Sequence, residues 1–209
     1  MSNAYTDGVR LLMAPDALPD PIRIAVDVGG LLDRLGVSYL VAGSLASSVH
    51  GEPRSTNDVD LVADLAPAHV PPLLAALGDA FYVSADAVLE AVRTGGSFNL
   101  IHLATAVKVD VFVKGGDAFD AERLSRRTRV RLGFDSPGDL WVDLAEYTVL
   151  RKLEWYRRGG EVSERQWRDA LGVLRAQGAR LDHARLAEWA DRLGVRDLMD
   201  RAQREATSG

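Results

Sequence analysis

"VAGSLASSVHGEPRSTNDVDLV", residues 41–62, decides how the rest of the chain is read. A short apolar run ends in Gly43-Ser44, and 14 residues after that serine a second run opens as Asp58-Val59-Asp60. Carboxylates at i and i+2 of a strand project from the same face. Two negative charges held that close repel, and burying them unpaired is costly. Something positive belongs between them, and a divalent cation is the simplest candidate. The alternative is an exposed edge strand whose polar face merely meets water.

Working outward, Asp20-Pro21 opens a helix whose apolar spacing (Ile24, Val28, Leu31, Leu32, Leu35) carries it to Gly36. "VSYLVAG" and "DVDLVADL" read as strands, with Val59, Leu61 and Ala63 opposite Asp58 and Asp60. Ser44 to Val49 allows one or two helical turns before His50-Gly51-Glu52-Pro53 breaks them. A helix from Pro67 to Leu77, a strand "AFYVS" and a helix capped by Ser84 follow. "SFNLIHL" (97–103) and "VKVDVFV" (107–113) look paired across a short connection. In the second, Lys108, Asp110 and Phe112 share a face, so a third carboxylate sits in a valine-rich strand; a cross-strand salt bridge to a lysine or arginine is its plainer explanation. A short helix near 118–125 and a strand "TRVRLGF" complete the first part. From Asp139 onward the spacing predicts only helices, the second capped by Ser163 with Gln166 and the third by Asp182.

The chain has 209 residues, 47% apolar and 26% charged, which suits a folded protein with a real core. It has no cysteine, so disulfides and thiolate metal sites are excluded, and a reducing cytoplasm is the expected location. Its apolar runs are too short to span a bilayer, and the N-terminal stretch lacks the features of a signal peptide, so no membrane partner is expected. Ser2-Asn3-Ala4 has the look of a cloning remnant. A formal net charge of −5 argues against general coating of nucleic acid. Local basic stretches, "RLSRRTRVRL" (123–132) and "RKLEWYRR" (151–158), read either as solvated faces or as a docking face.

Together these residues make a specific pattern: a Gly-Ser turn, then "HGEPRSTNDVDL", then "KVDVF". The chain resembles the DNA polymerase β-like nucleotidyltransferase superfamily. The helical half, "YTVLRKLEWYRRGGEVSERQWRDALGVL", resembles small bacterial nucleotidyltransferases related to the AbiEii-type toxins. Trp141-Val142-Asp143 departs from that pattern, where a "Pro-Glu-Asp" helix start is expected.

The resemblance implies a nucleotidyltransferase fold of the α/β (α+β) class. A mixed central β-sheet flanked by helices would occupy residues 1–135, and a C-terminal helical bundle, residues 136–209, would pack on it. It implies that Asp58, Asp60 and Asp110 ligate metal, two Mg2+ ions with Mn2+ as a substitute, and that Asp110 is the base for the incoming hydroxyl. Gly43 and Ser44 would hold the β- and γ-phosphates of the NTP substrate, ATP among the candidates. Arg54 and Thr56 would touch nucleotide, Lys152 would neutralise the triphosphate, and Asp169 would orient it or a metal-bound water. His50 is read as shaping its loop, and Trp155, Tyr156 and Trp167 as packing residues. The implied reaction moves an NMP group to an acceptor hydroxyl on tRNA or protein and releases pyrophosphate, as in the toxin of a toxin–antitoxin pair with an antitoxin partner. The alternatives are a catalytically silent nucleotide- or partner-binding relative and a small-molecule, antibiotic-type nucleotidyltransferase.

Overall fold

The computed structural model describes residues 19–131 and 138–208. The N-terminal stretch with Ser2-Asn3-Ala4 and the last three residues of "TRVRLGF" lie outside them. The chain divides into two compact units. One comprises the described residues up to Ala42 with Thr56–Val142; the other comprises Gly43–Ser55 with the chain from Asp143 onward.

The first unit is built on a seven-stranded mixed sheet. Its strands are β1 (Tyr39–Val41), β2 (Asp58–Ala63), β3 (Phe81–Tyr82), β4 (Ser97–His102), β5 (Lys108–Val113), β6 (Thr128–Arg131) and β7 (Asp139–Val142). They lie in the order β3-β4-β5-β2-β1-β7-β6. β2 runs parallel to β5 and antiparallel to β1; β4 pairs antiparallel with β5, in line with the pairing expected of runs 97–103 and 107–113.

Alternation sorts the side chains of the central strands. Val59, Leu61 and Ala63 are fully buried on one face, which α1 (Asp20–Arg34) covers with Ile24, Ala25, Val28, Leu31 and Leu32. Each such fully buried branched aliphatic contributes about 1.5–3 kcal/mol. On the opposite face Leu40, Ala42 and Val62 pack with Leu124 of α5 (Ala118–Arg126), and Phe112 joins them. The far end of that same face is polar: Asp58 and Asp60 of β2, Lys108 and Asp110 of β5. α3 (Val70–Leu77) and α4 (Ala85–Thr94) complete the unit, and the Ser84 hydroxyl caps α4 by accepting from Ala87 N.

One expectation is corrected. Residues 139–142 form a strand, not the start of the helical half. Leu140 and Val142 point inward while Asp139 and Trp141 are half-buried, and β7 inserts between β1, in parallel, and β6, antiparallel. Apolar residues at 140 and 142 run into the helical period that follows, so the local pattern hides a strand whose partner lies about a hundred residues earlier. Of the departing Trp141-Val142-Asp143, the first two residues lie in β7 and Asp143 follows its end.

The second unit is helical. α2 (Gly43–His50) packs with α6 (Ala145–Arg158) and α7 (Glu164–Gln177), and α8 (His183–Arg192) and α9 (Arg196–Ser208) complete it. Ser163 and Asp182 cap α7 and α8 as their sequences predict, accepting from Gln166 N and Arg185 N. The reciprocal half of the α7 capping box is absent, since the Gln166 side-chain oxygen has no hydrogen-bond partner. Tyr156 and Trp167 stack with centroids 5.2 Å apart inside the unit, whereas Trp155 is 46% exposed and is not a packing residue. No helix among the described residues is long and apolar enough to cross a membrane.

Candidate active site

The first unit carries the carboxylates. Parallel pairing of β2 with β5 puts Asp60 beside Asp110 and Asp58 beside Lys108, all on one face. Asn99 of β4 lies on the other side of Asp110. The three aspartates read from the sequence therefore share one patch of sheet. Asp58 is exposed and the other two are half-buried. Like charges placed side by side on adjacent strands are unfavourable. One charge that offsets them comes from within β5: Lys108 Nζ lies 2.7 Å from Asp110 Oδ2. The hydrogen bond to Asp110, together with the charges of Asp110, Asp58 and Asp60, holds the Lys108 ammonium above the ordinary lysine range.

Hard oxygen donors of this kind suit Mg2+ or Mn2+, and their common face suits a shared ion. Their side-chain positions are not closed around a point. Among the described residues no group of three His, Cys, Asp or Glu is arranged to hold a metal, and Asp110 is paired with Lys108 instead. Thr56 performs a local task at the entrance to β2: its hydroxyl donates to Asp58 O at 3.2 Å and accepts from Asp58 N at 3.4 Å.

The second unit carries the remaining candidates. Gly43 has φ +58°, a conformation that favours glycine, and it launches α2 with Ser44 in its first turn. Arg54, on the loop after α2, grips Asp169 of α7 with a two-pronged fork, Nε to Oδ1 at 2.9 Å and Nη2 to Oδ2 at 3.0 Å. The same Nη2 also donates to the Ser44 hydroxyl. From α6, Lys152 Nζ reaches Asp169 Oδ2 at 2.7 Å. Lys152 and Asp169 are 5% and 9% exposed, so this is a buried ion cluster. Burial pushes the Asp169 carboxyl up, but the hydrogen bonds from Arg54 and Lys152 outweigh it and hold the group below the usual carboxylate range. Gly43, Ser44, Arg54, Lys152 and Asp169 are thus brought together.

Two participants were not read from the sequence. Ser47 is buried and its hydroxyl bridges Gly43 O at 3.1 Å, Ser44 O at 3.0 Å and Asp169 Oδ2 at 3.4 Å. Gly51 has no room for a side chain: a Cβ there would lie 2.8 Å from Val173 N and 2.9 Å from Gly172 C of α7. Gly51→Ala is therefore expected to cost about 2–3 kcal/mol in unfolding free energy, read by urea denaturation, because backbone on both sides has to move.

His50 shapes this loop, as expected. Its Nε2 donates to Asp143 O at 2.6 Å, and its own carbonyl accepts from Gln177 Nε2 at 2.6 Å. Burial lowers the imidazole pKa below 6.5, only partly offset by the Asp143 carbonyl and carboxylate. A depressed folded-state pKa means the unfolded chain takes up the proton first. The stability it contributes is complete above pH 6.5 and declines as the pH falls toward the folded value, by at most about 1.4 kcal/mol per pH unit. Denaturation at pH 7.5 and 5.5 should show this slope in the wild type and a flatter one in His50→Gln.

No protein-family model and no curated protein matches the chain. Solved structures do. It is similar to the solution structure of the antibiotic-resistance factor ANT(2'')-Ia, with TM-score 0.55 at 12% identity over 87% of this chain and 95% of that one. The crystal structure of ANT(2'')-Ia in complex with adenylyl-2''-tobramycin gives TM-score 0.54 at 13% identity, covering 82% and 97%. An antigenic nucleotidyltransferase-like protein from Paracoccidioides brasiliensis gives TM-score 0.52 at 21% identity, covering 88% and 93%. The chain has a nucleotidyltransferase fold: a mixed seven-stranded sheet with helices on both faces, followed by a helical bundle.

Proposed function

We propose that this protein is a metal-dependent nucleotidyltransferase, moving an NMP group from an NTP to an acceptor hydroxyl with release of pyrophosphate. The observation that carries the reading is the register of β2 and β5, which sets Asp58, Asp60 and Asp110 on one face of a sheet of this fold. A set of adjacent carboxylates costs folding free energy and is retained where chemistry uses the charge.

Asp58 and Asp60 would hold a divalent ion, Mg2+ with Mn2+ as substitute, together with Asp110. When bound, such ions supply Lewis-acid stabilisation of the triphosphate and of the departing pyrophosphate. Asp110, beside Asp60 in the register, takes the proton of the incoming hydroxyl. Gly43 and Ser44 hold phosphate oxygens through backbone N–H groups and the serine hydroxyl. Lys152 and Arg54, both held by the carboxylate of Asp169, are the cations that would face the triphosphate. Asp169 fixes the directions of both cations; Thr56 supports the backbone before Asp58.

The acceptor is the open choice within this reaction. A tRNA 3′ end and a protein hydroxyl remain the first candidates. Read as a toxin acting on either acceptor, the protein would call for an antitoxin partner, with the cytoplasm as the setting. The likeness to a structure holding adenylyl-2''-tobramycin favours a second reading, a small-molecule hydroxyl. Incubation of the purified protein with Mg2+ and each α-labelled NTP, alongside total RNA, a protein extract or tobramycin, separates the three. Label in one pool identifies the acceptor. Absence of label in all pools, with every NTP, rejects the proposal.

A further inference from the structure

The carboxylate face already has a cation of its own beside Asp110. Lys108 stands beside Asp58 in the β2–β5 register and two residues before Asp110 on the same face. Its ammonium is 2.7 Å from Asp110 Oδ2, the oxygen donor that the proposed metal set requires. The Lys108 side chain is 41% exposed, while that of Asp110 is 18% exposed. The lysine therefore has solvent to swing into; the aspartate has less freedom. A lysine ammonium is a compact point charge on a flexible stem, which makes it an exchangeable counter-ion rather than a fixed fork.

Taking the metal-binding reading above as its premise, we infer that Lys108 is a built-in counter-cation of the carboxylate face, which an incoming divalent ion displaces from Asp110. The chain thereby holds its three like charges together without metal, and it does so at the expense of metal affinity. The exchange is one of positions: the ammonium keeps its proton, leaves Asp110 Oδ2 and moves into solvent as the ion takes up that oxygen. Lys108 then sets the divalent-ion concentration at which the face loads. It is a positioning residue and makes no contact with the reacting atoms.

Mn2+ binding to the full chain without nucleotide, followed by the electron paramagnetic resonance signal of free Mn2+, tests this directly. Lys108→Met should bind Mn2+ about tenfold more tightly than wild type, a gain of about 1.4 kcal/mol. Lys108→Gln should behave in the same direction and serves as the second variant, and Lys108→Arg should not tighten binding. In chelator, Lys108→Met should melt at a lower temperature than wild type, and saturating Mn2+ should remove the deficit. A simple surface lysine would show neither the tightening nor the metal-dependent rescue. Equal Mn2+ affinity in wild type, Lys108→Met and Lys108→Gln overturns the counter-cation role and leaves the nucleotidyltransferase reading intact. No Mn2+ binding by any of these proteins, at millimolar Mn2+, overturns both.

Discussion

Asp60→Asn protein is expected to lose NTP-dependent labelling by on the order of 10³-fold, about 4 kcal/mol of transition-state stabilisation, while remaining folded in chelator. The two halves of this result have one origin. Asp60 lies directly beside Asp110 on the neighbouring parallel strand, with Asp58 two residues away on the same face. Removing one of three adjacent negative charges relieves repulsion in the folded state. The same removal takes an oxygen donor from the metal set. Asparagine keeps the size of the side chain, so packing around the buried Val59 and Leu61 is undisturbed. Labelling at the wild-type rate would remove Asp60 from the chemistry. A large fall in melting temperature would instead make it a structural residue.

The second large effect concerns stability. Asp169→Ala should cost about 3–5 kcal/mol in urea denaturation, because it takes the carboxylate away from a buried lysine and an arginine fork. Lys152 is 5% exposed and its ammonium is 2.7 Å from Asp169, too deep for water to replace the lost oxygen well. Asp169→Asn should cost less, since its side-chain oxygen still accepts one hydrogen bond. The double variant Lys152→Met/Asp169→Leu should recover part of the loss by removing both charges from the interior. A loss below about 1 kcal/mol for Asp169→Ala would place the cluster among weak surface ion pairs.

How much of this could be read in advance depends on how local each signal is. The caps at Ser84, Ser163 and Asp182 were legible because a cap is decided within three residues of chain. The carboxylate face was legible because alternation has a period of two, so Asp58 and Asp60 declare their common side without knowledge of any neighbour. Lys108 was legible in part. Its side of β5 follows from the same alternation, but its 2.7 Å approach to Asp110 does not. The fork from Arg54 to Asp169 spans 115 residues, and nothing near either residue announces the other. Ser47 and Gly51 read as ordinary loop and helix-end residues until α7 is brought against them.

By itself the amino-acid order determined which faces of β2 and β5 are apolar and which are charged, where α7 and α8 begin, and that the chain carries a nucleotidyltransferase pattern. These are properties of spacing and side-chain chemistry along a few turns or strand residues. Tertiary structure alone decided that residues 139–142 become a strand between β1 and β6, and that Gly43–Ser55 belongs with the C-terminal helices. It also decided that Asp169 is shared by Lys152 and Arg54. Each of these needs partners far apart in the chain, and their pairing free energies exist only once the loops between them have closed.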